Sequence, residues 1–167
     1  ELLARNHRAM QALIGMAIAE EPVSFEDYLV PSDWDWGELA NSSTVVTGAT
    51  GSGKTTLLSF LIGQVPEHER IVAIEDIPEL DFRHPHVTAL TTREPNAEGA
   101  GELSMAKLVR ESLRMRPDRI VVGEVRGGEV RDMLMALSTG HRGFTTLHAN
   151  SPLEAPRRIA TLASLAG

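Results

Sequence analysis

The feature that most constrains the fold of this chain is the octet GATGSGKT at residues 48–55. It fits the pattern G-x-x-x-x-G-K-[ST], in which glycines allow successive backbone N–H groups to turn inward around a phosphate. Residues 43–47 before it read as a strand, and residues 55–62 after it read as an amphipathic helix that ends at Gly63. Because strand, loop and helix is the context that a phosphate-binding loop requires, the octet predicts a nucleotide site rather than a flexible glycine-rich loop.

Each part of this loop has a predicted role in binding ATP and Mg²⁺. Lys54 would contact the β- and γ-phosphate oxygens, and the Thr55 hydroxyl would ligate Mg²⁺. The helix that starts near Lys54 would direct its partial positive end at the same anion. The residues predicted to bind the nucleotide are Gly48, Ala49, Thr50, Gly51, Ser52, Gly53, Lys54, Thr55 and Thr56.

Composition excludes several classes of site. The 167 residues contain no cysteine, which rules out disulfides, Cys-ligated zinc and thiol catalysis. A net charge of -7 and an aromatic content of 4% argue against a nucleic-acid-binding surface. The apolar stretch at residues 13–19 is far shorter than the roughly 20 residues that span a bilayer, so no transmembrane segment is predicted.

The chain divides into two unequal parts. Residues 2–20 keep helical spacing of apolar side chains, and Pro22 follows the end of this pattern. We expect residues 1–42 to form an N-terminal helix and linker, the remnant of a truncated N-terminal domain of a longer protein. We expect residues 43–167 to form a P-loop ATPase domain.

From residue 43 onward, short apolar strands alternate with amphipathic helices. This alternation predicts an α/β fold with a mostly parallel sheet and helices on both faces. After the first strand and helix, strands are predicted at residues 70–74, 86–92, 119–122 and 144–147. Helices are predicted at 104–115, at 130–137 with Gly140 as its stop, and after Pro152.

Polar side chains follow the predicted strands, at the edge where open α/β sheets bind ligands. Glu75 and Asp76 follow one strand, Glu124 follows another, and His148 follows a third. Hydrolysis of a nucleoside triphosphate needs a carboxylate that orients water and a group that helps to hold Mg²⁺. Glu75, Asp76, Glu79 and Glu124 are the candidates.

Four segments in order resemble the type II/type IV secretion ATPases, the hexameric motors of protein secretion, conjugation and pilus assembly. Residues 114–126, RMRPDRIVVGEVR, resemble the atypical Walker B segment of that family. Residues 48–56 are similar to its Walker A motif, 70–80 to its Asp box, and 140–151 to its His box. The subfamily features are mixed, because the seven-residue spacing from His141 to His148 is typical of type II and pilus-retraction members whereas 114–126 is typical of the Tad-pilus and conjugation branch.

The resemblance implies a RecA-like P-loop NTPase core and Mg²⁺-dependent ATP hydrolysis by a ring-forming motor that powers secretion, pilus assembly or conjugation. It also implies a homo-oligomer, a hexameric ring in the full-length protein, that works in the cytoplasm at the inner face of the cell membrane. The implied partner is the inner-membrane secretion or pilus machinery.

The resemblance further assigns roles to individual residues. Glu79 would be the water-orienting base and Glu124 the Mg²⁺-side acid, with Lys54 and His148 completing the catalytic set. Glu75 and Asp76 would support these acids, and His141 and His148 would sense the γ-phosphate or couple it to a neighbouring subunit. The candidates for contacts with phosphate or with a neighbouring subunit are Arg93, Arg110, Arg116 and Arg126. Each of these arginines has the alternative of being an exposed charge in a weak salt bridge.

Two other functional classes stay open at this point. One is another P-loop enzyme. A small kinase should carry a lid or an acceptor-binding insertion, and residues 44–152 contain no obvious spare segment for one. A RecA-like nucleic-acid motor should show a basic or aromatic surface, which a pI near 5.3 and an aromatic content of 4% disfavour. A non-catalytic, nucleotide-dependent interaction module should lack some of the catalytic residue types, whereas Lys54, Thr55, Glu79 and Glu124 are all present.

Overall fold

The computed structural model describes residues 41–151 and 153–165. The predicted N-terminal helix and nearly all of the predicted linker therefore lie outside the described residues. The described elements follow in chain order: β1 (Thr44–Gly48), α1 (Lys54–Gly63), β2 (Ile71–Glu75), β3 (Val87–Thr91), α2 (Met105–Ser112), a 3₁₀ turn (Leu113–Met115), β4 (Arg119–Val122), α3 (Glu129–Ser138), β5 (Arg142–His148) and α4 (Ala155–Leu165).

The five strands form one parallel sheet in the order β1-β5-β4-β2-β3. This confirms the predicted α/β class and the predicted parallel sheet. Since β5 lies between β1 and β4, the carboxyl ends of these three strands are side by side. In the register of β1 and β5, Gly48 is paired with His148.

Helices cover both faces of the sheet, as the apolar strand sequences predict for parallel strands. Leu58, Leu61 and Ile62 of α1 pack with Ala73 and Phe144 on one face. On the other face, α2, α3 and α4 pack against side chains of β2, β4 and β5. All five residues of β2 are buried, which is why that strand reads as a continuous apolar run rather than an alternating one.

The observed elements begin and end within a few residues of the predicted ones. The main difference is at the helix predicted for residues 104–115, where the α-helix ends at Ser112 and a 3₁₀ turn follows. Pro117 has no N–H and cannot continue a helix, and Arg116 before it adopts a left-handed conformation with φ 53°. Gly140, with φ 97°, follows α3 as predicted.

A buried ion cluster joins the amino ends of three strands, opposite the P-loop. Arg119 is 0% exposed, and its Nε and Nη2 donate to Glu69 Oε2 at 3.3 and 3.2 Å. Its Nη1 donates to the Ser42 carbonyl oxygen at 3.1 Å, and its guanidinium carbon lies 4.4 Å from the centre of the Phe144 ring. Arg142 Nη1 donates to the other Glu69 oxygen at 2.7 Å. One carboxylate therefore forms ion pairs with two arginines from neighbouring strands.

Candidate nucleotide site

The loop between β1 and α1 has the shape of a phosphate cradle. Gly51 and Gly53 adopt left-handed conformations with φ 76° and 79°, which L-residues rarely adopt. A Cβ atom at Gly48 would overlap Ser52 Oγ. Backbone conformation thus favours glycine at positions 51 and 53, and Gly48 leaves the space that Ser52 Oγ occupies, as the sequence pattern predicts.

The positive end of α1 faces this loop without a capping side chain. Gly53 is its N-cap residue, no side chain accepts a hydrogen bond there, and the first turn contains no acidic residue. Ser52 Oγ is buried and has no hydrogen-bond partner within the part of the chain that the structure describes. Uncapped N–H groups, a helix dipole and an unsatisfied hydroxyl together fit the oxygens of a nucleotide phosphate.

Lys54 lies across the P-loop, within electrostatic range of the residues that follow β4. Its Nζ donates to the Ala49 carbonyl oxygen at 2.8 Å, so the side chain lies across the loop. Partial burial lowers the pKa of Lys54; the charge of Glu124 opposes this shift, and the charge of Arg126 adds to it. Lys54, Glu124 and Arg126 therefore share one electrostatic environment, although up to 72 residues separate them in sequence.

Glu124 follows β4, and β5 holds the backbone on both sides of it. The Thr146 hydroxyl donates to the Gly123 carbonyl oxygen at 2.7 Å, and the Val125 N–H donates to the Thr146 carbonyl oxygen at 3.0 Å. Arg126 Nε and Nη2 both donate to Glu124 Oε2, at 2.8 and 2.6 Å. The predicted Mg²⁺-side acid is thus held in a defined position and paired with an arginine.

Glu75 organises the loop that carries Glu79. The Glu75 side chain is buried, and its Oε1 accepts hydrogen bonds from the backbone N–H groups of Glu79 and Leu80, each at 2.9 Å. Asp76 accepts a hydrogen bond from the Thr92 hydroxyl at the end of β3. Glu79 itself is exposed beside the carboxyl edge of the sheet. Both acids that the sequence assigns a supporting role therefore make contacts that orient this loop.

Gly123 explains how the ends of β2 and β4 approach each other. A Cβ atom at this position would lie 3.2 Å from Glu75 Cγ and 3.6 Å from the Ile74 carbonyl oxygen. The Gly123 N–H also donates to that carbonyl at 2.9 Å. A larger residue would push against Glu75, which holds the Glu79 loop.

Sequence reasoning missed Glu129, which shapes the segment after Glu124. The Glu129 side chain is buried at the start of α3, and its Oε1 accepts from the backbone N–H groups of Arg126 and Gly127 at 2.5 and 2.7 Å. The available signal was an acidic residue in the first turn of a predicted helix directly after a Gly-Gly pair.

The two histidines of the predicted His box lie at opposite ends of β5. His148 is half-buried at the carboxyl end, beside Gly48 of the P-loop. His141 precedes the amino end, where its Nδ1 lies 3.3 Å from Thr139 Oγ1. A spacing of seven residues along an extended chain corresponds to about 23 Å between them. The structure therefore brings His148 to the site and leaves His141 at the other edge of the sheet, where a contact with a neighbouring subunit stays a prediction.

Of the four candidate arginines, the structure brings Arg126 to the P-loop. Arg110 on α2 forms an ion pair with Asp132 on α3 at 2.7 Å, which is the salt-bridge alternative. Arg93 Nε donates to the Gly101 carbonyl oxygen at 2.7 Å in an exposed loop after β3. Arg116 lies in the exposed turn before β4, at the amino edge. Their predicted contacts with another subunit are not tested by one chain.

The residues at this edge fit a magnesium nucleotide better than a metal held by protein alone. Within residues 41–151 and 153–165, no group of three or more His, Asp or Glu side chains could hold a metal ion. Mg²⁺ at nucleotide sites takes one or two protein ligands and completes its shell with phosphate oxygens and water. Thr55, in the first turn of α1, and Glu124 supply ligand types of that kind.

None of the described helices is long and apolar enough to cross a membrane.

Comparison with known protein families places residues 38–167 in the family described as type II/IV secretion system protein. A putative conjugal transfer protein from Mycobacterium tuberculosis is 55% identical over 129 residues, which cover 77% of this chain and 37% of that protein. The chain therefore spans less than two-fifths of the length of this relative.

Solved structures give the same result. The VirB11 ATPase of the Brucella suis type IV secretion system, in complex with sulphate, is 34% identical with a TM-score of 0.68, and the match covers 78% of this chain and 38% of that one. The pilus retraction motor PilT with bound ADP is 32% identical with a TM-score of 0.64, over 86% of this chain and 42% of that one. The RecA-like P-loop fold predicted from the sequence motifs is thereby confirmed.

Proposed function

This chain belongs to the type II/IV secretion system protein family, and on that premise we propose that it binds and hydrolyses Mg-ATP as part of a ring-forming motor for secretion, pilus assembly or conjugation. The observation that carries the proposal is the shared environment of Lys54, Glu124 and Arg126 beside an uncapped helix end. That arrangement supplies hydrogen-bond donors for the phosphate oxygens and a carboxylate for the Mg²⁺ ion of the same nucleotide.

We assign the roles within this site by the chemistry of each side chain. Lys54 and the N–H groups of the loop bind the phosphates, while the Thr55 hydroxyl and Glu124 would hold Mg²⁺, which would supply positive charge beside the phosphate oxygens. Glu79 orients the attacking water, since its loop is held by Glu75 and its carboxylate is exposed at the edge. His148 is a second group near the γ-phosphate, because its strand position is next to the P-loop.

We further propose that the full-length protein assembles into a hexameric ring at the cytoplasmic face of the cell membrane, beside a secretion or pilus machine. The support comes from the relatives, which carry the names of a conjugal transfer protein, a type IV secretion ATPase and a pilus retraction motor. Nucleic acid is not among the proposed partners, in keeping with the net charge of -7.

Substitution of Lys54 tests the nucleotide site directly. Lys54→Ala removes a charge-assisted contact to phosphate, and we expect ATP affinity to fall about 10- to 100-fold. Isothermal titration calorimetry measures this affinity. Lys107→Ala is the matched control, because Lys107 is an exposed lysine on α2. Equal affinity of the Lys54 and Lys107 variants for ATP would refute nucleotide binding at this loop.

Assembly is tested by mixing variants. We expect specific ATPase activity to rise several-fold with protein concentration, because a neighbouring arginine can stabilise charge on the γ-phosphate that one subunit leaves exposed. Lys54→Ala chains should regain part of the activity when mixed with Arg93→Ala or Arg116→Ala chains, since a mixed ring contains some intact composite sites. Steady-state phosphate release measures the specific activity, and size-exclusion chromatography measures the oligomeric state. Activity independent of concentration, with no restoration in either mixture, would contradict a composite site.

A further inference from the structure

Arg126 forms an ion pair with Glu124, the acid proposed to hold Mg²⁺. Its Nε and Nη2 converge on the same carboxylate oxygen, Glu124 Oε2, at 2.8 and 2.6 Å. The Arg126 side chain is 71% exposed, whereas the Glu124 side chain is 25% exposed. One oxygen of the acid is therefore satisfied by a cation that solvent can reach.

The backbone of Arg126 is held independently of its side chain. Glu129 Oε1 accepts from the Arg126 N–H at 2.5 Å and from the Gly127 N–H at 2.7 Å, and the adjacent Val125 N–H donates to the Thr146 carbonyl oxygen. Because these bonds involve main-chain atoms, the guanidinium can leave Glu124 by side-chain rotation alone.

The surroundings of Arg126 contain charges of both signs. Its pKa is raised by the hydrogen bond and the charge of Glu124, with smaller contributions from the charges of Asp76 and Glu79. Arg126 in turn lowers the pKa of Lys54. A divalent cation bound to Glu124 Oε2 would face the Arg126 guanidinium at hydrogen-bond distance, where like charges repel each other. The two cations therefore cannot share this oxygen.

We propose that Arg126 competes with Mg²⁺ for Glu124 Oε2, so that binding of the metal to this oxygen requires the guanidinium to move away from it. The inference rests on the proposed nucleotide function. While Arg126 is paired with Glu124, the carboxylate charge is masked and does not repel the phosphates of an entering nucleotide. When Mg²⁺ binds, the released guanidinium stays within reach of the site because its backbone is fixed by Glu129.

This competition has a measurable size. An ion pair with one exposed partner has a modest interaction free energy, and two charge-assisted hydrogen bonds to the same oxygen increase it. Loss of the guanidinium should therefore change the preference of the site for a magnesium nucleotide over a metal-free nucleotide by about 3- to 10-fold. The preference is the ratio of the dissociation constant measured in EDTA to that measured in Mg²⁺.

The experiment measures this ratio for the 167-residue chain with a fluorescent ADP analogue, by equilibrium titration without turnover. For Arg126→Gln we expect the ratio to rise about 3- to 10-fold, because Glu124 then repels metal-free nucleotide and binds Mg²⁺ without competition. Arg126→Lys retains the cation but cannot direct two N–H groups at one oxygen, so its ratio should lie between those of the parent and Arg126→Gln. In a Glu124→Gln background, Arg126→Gln should leave the ratio unchanged.

Arg114→Gln is the control, because it removes the same charge from an arginine that pairs with Glu111 on the surface of the protein. Its ratio should equal that of the parent. An unchanged or lower ratio in Arg126→Gln, or an equal rise in Arg114→Gln, would overturn the competition. A parent chain that binds the analogue in neither condition would refute the proposed function as well, whereas tight binding with an unchanged ratio would refute the competition alone.

Discussion

Glu79→Gln and Glu124→Gln are each expected to bind Mg-ATP and to hydrolyse it about 10²- to 10⁴-fold more slowly than the parent protein. An amide keeps the size of the side chain and loses the carboxylate. At Glu79 this removes the group that accepts a proton from the attacking water. At Glu124 it removes the negative charge that acts on Lys54 and that is proposed to hold Mg²⁺. Because the backbone of Glu79 is held by Glu75 and that of Glu124 by its β5 contacts, neither substitution should disturb the loops.

Single-turnover hydrolysis and a separate binding titration distinguish these effects, in a preparation whose parent protein is active. Glu98→Gln is the matched control, since Glu98 is an exposed acid in the loop between β3 and α2. Glu98→Gln should leave the rate of hydrolysis and the affinity for Mg-ATP unchanged. Parent-level hydrolysis by both active-site variants would show that the assignments of these two acids are wrong.

Glu69→Ala is expected to lower the free energy of unfolding by about 3–5 kcal/mol, because it leaves Arg119 buried without its counter-ion. The two arginines that share Glu69 belong to β4 and β5, so the loss affects the centre of the sheet. A destabilisation of this size is a large share of the roughly 5–15 kcal/mol that stabilises a typical domain. Urea denaturation followed by circular dichroism measures the change.

Glu67→Ala is the control for this prediction. Glu67 is exposed two residues before Glu69, and its removal should change the free energy of unfolding by less than about 0.5 kcal/mol. Comparable losses in the two variants, or a loss below about 1 kcal/mol for Glu69→Ala, would contradict a structural role for the buried cluster.

The local elements of this fold were predictable because each has its own periodic signal. The glycines of residues 48–55, the apolar stripe of α3 and the continuous apolar run of β2 are all readable from neighbouring residues. The sequence of the His box does not show that its two histidines are far apart. Its two histidines lie before and after the same strand, and the direction of β5 in the parallel sheet separates them.

Hydrogen bonds and ion pairs of side chains left no comparable signal, whether the partners are near or far in sequence. The bonds of Glu75 to Glu79 and of Glu129 to Arg126 join a side chain to backbone N–H groups, and such bonds depend on loop conformation rather than on residue spacing. The sequence also does not indicate whether a given Asp, Glu or Arg side chain is exposed or buried. Arg119 was therefore assigned to a strand without any indication that it is fully buried against Glu69.

The sequence by itself determined the chemical class of the site and the succession of strands and helices, because a phosphate cradle and an apolar periodicity are properties of consecutive residues. Only the tertiary structure decided which charged groups meet. The order β1-β5-β4 brings Glu124 and Arg126 near Lys54, and the order β5-β4-β2 brings Arg142 and Arg119 to Glu69 at the opposite edge. The physical reason is that Coulomb and hydrogen-bond energies depend on distances in space, which strand register sets and sequence separation does not.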